Sequence, residues 1–207
     1  MSEPMTKEEK LARYRALNAT APKGGILFAG SSLMEMFPVE AFAAEQGLAV
    51  TNRGVGGFVT RELLDNLDTC ILDLVPRRLF INIGTNDLSD PDLPIEAVMA
   101  NYRRILEAVK AQVPGVEIIM LAYYPVNYEA ASEELKPCLR VRTNAKIDAA
   151  NRAAEALAGE LGARWLDINA PIRDAQGRLR AEYTLEGMHI NEAGYRALWP
   201  QLLPWLD

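Results

Sequence analysis

Short, continuous apolar runs alternate along this chain with longer segments in which apolar residues recur at three- and four-residue steps. Runs of that kind are too continuous for a sheet with one wet face and fit parallel strands covered on both sides. The pattern predicts strands over residues 26–29, 48–51, 79–83, 117–122 and 164–168. The strongest helical stripe follows Pro94, where Ile95, Val98, Met99, Tyr102, Ile105, Leu106 and Val109 share one face. Similar stripes run through Leu63, Leu64, Leu67 and Ile71, through Ile147, Ala150, Ala154, Leu157 and Leu161, and through Tyr195, Leu198, Trp199 and Leu202.

Strands alternating with helices in this way predict an α/β fold, a three-layer α/β/α sandwich of the flavodoxin-like kind. Its five-stranded parallel sheet is expected in the order 2-1-3-4-5, with right-handed crossovers. In such a sheet ligands bind beyond the carboxyl ends of the strands. No linker-like stretch or internal repeat interrupts the 207 residues, so residues 1–207 read as a single domain. Within it, residues 1–20 form a leading helical segment. Thr6 and Glu9 make a capping box there, and Leu11, Tyr14 and Leu17 supply a short stripe for packing.

The 28 acidic against 22 basic residues leave a net charge of −6, which repels phosphate backbones and argues against a nucleic-acid partner. The charged opening segment carries no apolar stretch, so neither a signal peptide nor a membrane anchor is expected there, and a cytoplasmic protein is expected. An oligomer is left open. Cys70 and Cys138, the only cysteines, are too few and too far apart for a disulfide framework or, with one histidine, for a zinc site. Asp87, Asp90, Asp92 and Glu96 lack the spacing of a calcium loop. No metal and no cofactor are expected.

The chemistry is concentrated in four places. The only histidine, His189, follows Glu186 by three residues, pairing an imidazole base with an orienting carboxylate just before a final helix opening near Asn191. After the first strand, Gly30-Ser31-Ser32 places two hydroxyls at a strand-to-helix turn, where free backbone N–H groups suit a developing oxyanion; either serine could equally serve as an N-cap. After the second strand, Asn52-Arg53-Gly54-Val55-Gly56-Gly57 is a glycine-rich loop open to close backbone approach. It is not a dinucleotide fingerprint, since Val59 stands where a further glycine is required. After the third strand, Gly84-Thr85-Asn86-Asp87 brings an amide donor to the same edge, able to cap the next turn or to donate to an oxyanion.

Together Gly30-Ser31-Ser32, Asn52-x-Gly54-x-x-Gly57, Gly84-x-Asn86-Asp87 and Glu186-x-x-His189 resemble the four ordered blocks of the SGNH, or GDSL-type, hydrolases. The resemblance runs from about residue 25 to the end and is closest to the small bacterial Gly-Ser-Ser branch of platelet-activating-factor acetylhydrolase-like esterases. It implies Ser32 as nucleophile and His189 as general base. It also implies an oxyanion hole formed by the Ser32 and Gly57 N–H groups and the Asn86 side chain. Two positions depart from the family pattern: Ser31 fills a position usually held by Asp, and Glu186 replaces the usual triad Asp with a side chain longer by one methylene. Were Glu186 to point away, a backbone carbonyl or water would orient the ring instead.

The substrate implied is a small-molecule carboxylic ester cleaved through an acyl-Ser32 intermediate. The aromatic fraction of 7% and the lack of an obvious acyl tunnel favour short, acetyl-like acyl groups. A lysophospholipase or carbohydrate acetyl esterase would use the same site, and residues 123–136 suggest a wall or partial lid over it. Two readings outside esterase chemistry compete: a noncatalytic ligand-binding domain of the same fold, and a flavodoxin-like electron carrier. The second is weakened by a first loop poorly suited to a flavin phosphate.

Overall fold

The computed structural model describes residues 4–207, so the first three residues of the leading segment lie outside the described residues. The strands are β1 (Ile26–Gly30), β2 (Val50–Asn52), β3 (Arg78–Asn82), β4 (Glu117–Leu121) and β5 (Arg164–Leu166). All pair in parallel, in the order β2-β1-β3-β4-β5 predicted from the sequence.

The helices are α1 (Lys7–Asn18), α2 (Ser32–Glu35), α3 (Val39–Ala44), α4 (Thr60–Asp65), α5 (Leu67–Cys70), α6 (Ile95–Gln112), α7 (Lys136–Val141), α8 (Asn144–Leu161) and α9 (Glu192–Leu202). Because side chains alternate across a strand, the apolar runs of the central strands β1, β3 and β4 feed two cores at once, while the edge strand β2 is half-buried. Leu27, Ala29, Leu79, Ile81, Ile118 and Met120 face a core shared with α1, α4, α5, α6 and α8. Ile26, Phe28, Phe80, Ile119 and Leu121 face the other, shared with α2, α3 and α9. The continuous hydrophobic strands thus follow from burial on both faces.

The stripe from Leu63 to Ile71, expected as one helix, is broken at Asn66. Its backbone leaves the helical region, and its side-chain amide donates to the Glu62 carbonyl at 2.9 Å, competing with the helix ladder. Other boundaries follow local chemistry closely. Thr6 and Glu9 form the reciprocal capping box of α1, and the Asn191 side chain accepts from the Gly194 N–H at 2.9 Å to start α9.

The central strands meet the second core through Phe28 and Phe80, whose rings stack with centroids 4.5 Å apart. Both are fully buried. Phe80→Ala is expected to lower unfolding free energy by about 3–5 kcal/mol, read from a shifted denaturation midpoint with an unchanged slope. A loss under about 1 kcal/mol would mean that the sheet does not depend on this stack.

Candidate functional site

β1 ends at Gly30, and the chain turns directly into α2 at Ser32. Ser31 occupies the N-cap position with extended backbone, but its side chain makes no capping bond and it is buried. Ser32 opens the helix, so its N–H has no intrahelical acceptor, and its side chain is half-buried. Of the two hydroxyls offered by the sequence, Ser32 Oγ is the one that meets the imidazole, lying 3.0 Å from His189 Nε2.

The histidine is held by a tight turn. Thr184 and Ile190 pair as an isolated antiparallel bridge, the Thr184 hydroxyl donates to the His189 carbonyl at 2.9 Å, and the Gly187 N–H donates to Thr184 Oγ1 at 2.8 Å. Within this turn Glu186 folds back, placing Oε1 2.5 Å from His189 Nδ1 and accepting the His189 backbone N–H at 3.2 Å. A carboxylate at Nδ1 favours the tautomer with its proton there, leaving Nε2 free to accept from Ser32. Both Glu186 and His189 remain about a quarter exposed.

The turn has an outer support. The Asn127 N–H donates to the Gly187 carbonyl at 2.7 Å and the Ser132 N–H to the Glu186 carbonyl at 3.2 Å. Residues 123–136, expected from sequence to be a wall or partial lid, buttress the histidine turn through these two bonds. Gly187 has φ +97°, and a Cβ there would sit 2.6 Å from Ala131 Cα, so glycine alone fits between the two segments.

The glycine-rich loop lies alongside α2. A Cβ on Gly54 would fall 2.3 Å from the Glu35 nitrogen, which explains glycine at that position. Asn52 joins the two segments: its amide donates to the Met34 and Phe37 carbonyls at 2.7 and 3.1 Å, while its oxygen accepts the Gly54 N–H at 2.9 Å. The Val55 N–H reaches back to the Gly30 carbonyl at 2.9 Å.

The leading helix supports this loop through more than apolar packing. Tyr14 donates its hydroxyl to the Gly54 carbonyl at 2.7 Å, and Lys7 Nζ donates to the Gly57 carbonyl at 3.0 Å while pairing with Glu62 at 2.7 Å. Lys10 pairs with Glu35, which accepts the Gly56 N–H at 2.6 Å. With its carbonyl engaged, Gly57 is exposed, and its N–H has no partner among the described residues.

Asn86 completes the edge. Its amide nitrogen donates one hydrogen to the Phe58 carbonyl at 2.9 Å, and its oxygen accepts from Arg142 Nη2 at 2.9 Å. The neighbouring Asp87 is buried and accepts the Thr60 N–H at 2.9 Å and the Thr60 hydroxyl at 2.5 Å. Burial pushes its carboxyl above the usual aspartate range, partly offset by those Thr60 bonds. These contacts fasten the third loop to the end of the second.

Ser32, His189 and Glu186 are thus joined in one hydrogen-bonded line, with Gly57 and Asn86 on the two loops flanking the end of β1. Such a line can move a proton from a hydroxyl to an imidazole. Sequence reading missed Lys7, Glu35 and Arg142 as supports, because each acts across more than 20 positions of sequence. The stripe of Leu11, Tyr14 and Leu17 marked α1 for apolar packing, but not for these polar ties. Cys70 is buried and its thiol is pushed up to about 12 by that burial, which makes it unreactive; Cys138 is also a free thiol. Among the described residues no group of three or more His, Cys, Asp or Glu side chains is arranged to hold a metal ion, and no helix is long and apolar enough to cross a membrane.

A structure named for a platelet activating factor from Streptococcus pneumonia is 32% identical, with a TM-score of 0.86 over 97% of this chain and 92% of that one. A GDSL-like lipase from Bacteroides thetaiotaomicron shares the fold at 20% identity and a TM-score of 0.79, covering 95% of this chain and 96% of that one. The acetylxylan esterase Axe2 of Geobacillus stearothermophilus does so at 18% and 0.69, over 90% and 95%. In sequence, 179 residues align at 23% identity with an N-acylneuraminate cytidylyltransferase of Escherichia coli O18:K1:H7; they are 84% of this chain but span only 38% of that longer protein. The GDSL-like Lipase/Acylhydrolase family model matches residues 29–197, a span containing all four motif blocks, and the chain belongs to that family.

Proposed function

We propose that this protein is a serine hydrolase of carboxylic esters, with Ser32 as nucleophile, His189 as general base and Glu186 as the carboxylate that orients the ring. The observation that carries this reading is the line from Ser32 Oγ through His189 to Glu186, with separations of 3.0 and 2.5 Å. Family membership supports ester hydrolysis as the reaction class.

In the first half-reaction Ser32 Oγ bonds to the ester carbonyl carbon while its proton passes to His189 Nε2. The tetrahedral intermediate collapses by breaking the bond to the alcohol oxygen, which takes that proton from the imidazolium. Water then adds to the acyl-Ser32 carbonyl as His189 accepts its proton, and collapse releases the acid and returns the proton to Ser32 Oγ. Glu186 stabilises the imidazolium formed in each half.

The negative oxygen of the two intermediates is assigned to the Ser32 N–H, the Gly57 N–H and the second N–H of the Asn86 amide. Support comes from their lack of other partners among the described residues, at the rim that carries Ser32 Oγ. A donor of this kind is worth roughly 3 kcal/mol of transition-state stabilisation when removed singly.

For the acyl group we favour short, acetyl-like chains. The fold likeness to an acetylxylan esterase is consistent with this choice. One observation favours a second reading. An open, largely apolar cavity of about 440 Å³ lies beside Met36, Phe42, Leu185 and Ile190, next in sequence to both α2 and the histidine turn. Its lining does not include Ser32 or His189. A ligand seated there without reaching Ser32 would make this a binding domain, and a long acyl chain lying in it would make the enzyme a lipase-like acylhydrolase.

Ser32→Ala and His189→Ala are each expected to lower kcat on p-nitrophenyl acetate by about 10⁴-fold or more, and the double variant to be little worse than either. A fluorophosphonate should label the wild type but not Ser32→Ala; hydrolysis persisting in Ser32→Ala would defeat the assignment. Glu186→Gln is expected to slow turnover by about 10²- to 10⁴-fold without abolishing it, and wild-type rates would remove that carboxylate from the mechanism. Across p-nitrophenyl esters from acetate to decanoate, kcat/KM should fall with length, whereas a maximum at the long esters would replace the short-acyl assignment with the lipase-like one.

A further inference from the structure

Arg142 ends α7 and is 3% exposed, yet none of its guanidinium nitrogens forms an ion pair with a carboxylate among the described residues. Its hydrogen-bond partners are neutral, and the Cys138 thiol and the buried Asp87 carboxyl act on it only through space, without outweighing its burial. Nε donates to Ser89 Oγ at 2.8 Å, Nη2 donates to Asn86 Oδ1 at 2.9 Å, and Nη1 lies 2.8 Å from Met188 Sδ. Burying a cation against neutral partners is costly, and an apolar side chain of similar size would fill the space at less expense. The desolvation is large enough to press the guanidinium below its ordinary arginine value.

Such a cost has a use at the Asn86 amide. A carboxamide has two ends of similar shape, one a donor and one an acceptor, and a half-turn about its last torsion exchanges them. With Arg142 Nη2 on one side and the Phe58 carbonyl on the other, only one orientation is compatible. Turned around, an NH₂ group would face a guanidinium N–H, and the amide oxygen would face a carbonyl oxygen. The allowed orientation leaves one amide hydrogen unspent, and a cation at the amide oxygen makes that hydrogen a stronger donor.

We infer that Arg142 is a positioning residue for the oxyanion-binding amide of Asn86, holding its donor end toward the reacting carbonyl from a buried site behind it. The same guanidinium touches Met188, the residue before His189, so one side chain fixes the amide loop against the histidine turn. This inference rests on the assignment of Asn86 as an oxyanion donor.

A double-mutant cycle separates positioning from general support. Rates on p-nitrophenyl acetate are compared for wild type, Arg142→Met, Asn86→Ala and the double variant, at a temperature where thermal unfolding shows all four folded. Arg142→Met is expected to lower kcat by about 10- to 100-fold with KM changed by less than about threefold. In the Asn86→Ala background the same substitution should cost less than about threefold, because the amide it orients is gone. Arg142→Lys, which keeps the charge but loses the planar fork, should fall between, and it replaces Arg142→Met in the cycle if the methionine variant does not fold.

An equal fold-loss in both backgrounds, or an unchanged kcat in the Arg142 variant, overturns the inference while leaving the hydrolase reading intact. Should Asn86→Ala itself leave kcat unchanged, the oxyanion assignment fails and this inference falls with it. If Ser32→Ala retains activity, the fault lies earlier, in the choice of nucleophile.

Discussion

The parallel register of the three strands β2, β1 and β3 governs the arrangement of the site. Phe28 stands opposite Asn52, and Gly30 opposite Asn82, so the loops carrying Ser32, Gly57 and Asn86 leave the sheet at one rim. That register is fixed by side-chain alternation: slipping β1 by one residue would carry Phe28 away from Phe80 and turn Leu27 and Ala29 into the opposite core. The packing of large apolar groups deep in the sheet thereby sets the relative height of small polar groups at its edge. No interaction within the loops could impose that relation by itself.

Beyond the strands the fixing agents change from apolar to polar. Asn52 binds the glycine loop to α2, Lys7 and Glu35 hold its tip, Arg142 holds Asn86, and Asn127 with Ser132 holds the histidine turn. Each tie engages a carbonyl or amide that would otherwise have to find water or a new partner, so movement of the loops carries a desolvation cost. Like the buried Thr85 hydroxyl beside Asn86, the N–H groups of Ser32 and Gly57 and one hydrogen of Asn86 are unspent among the described residues. Donors fixed before a substrate arrives need no reorganisation when charge develops, which is the basis of the oxyanion role proposed for them.

The division between apolar and polar ties also explains what could be read from the sequence. Strand order and helix placement came through because apolar periodicity is local and survives changes of detail, as in α6 and α8. The break at Asn66 was hidden because apolar spacing continues through it while a single side-chain amide takes the Glu62 carbonyl. The four motif blocks were visible as short strings, and the blocks themselves mark Ser32, His189 and Asn86 as candidates. Their supports were not visible: Lys7 to Gly57 spans 50 positions and Arg142 to Asn86 spans 56, and neither pair has a local pattern. The strand-to-helix position alone left Ser31 and Ser32 equivalent; the block resemblance implied Ser32, and it is Ser32 Oγ that lies 3.0 Å from His189 Nε2, while Ser31 is buried.

Glu186 shows how such a site absorbs a longer acid. Compared with Asp, its additional methylene would push the imidazole outward if the chain ran straight from carboxylate to ring. The backbone prevents this, since Thr184 and Ile190 close the turn while Asn127 and Ser132 hold its outer carbonyls. Gly187, at φ +97°, lets the chain reverse against Ala131, where any side chain would collide. The extra length is taken up by curling the carboxylate inward, so that one oxygen serves both the backbone N–H and Nδ1 of His189. Ring orientation in this structure is therefore set by the backbone turn and the Glu186 carboxylate together.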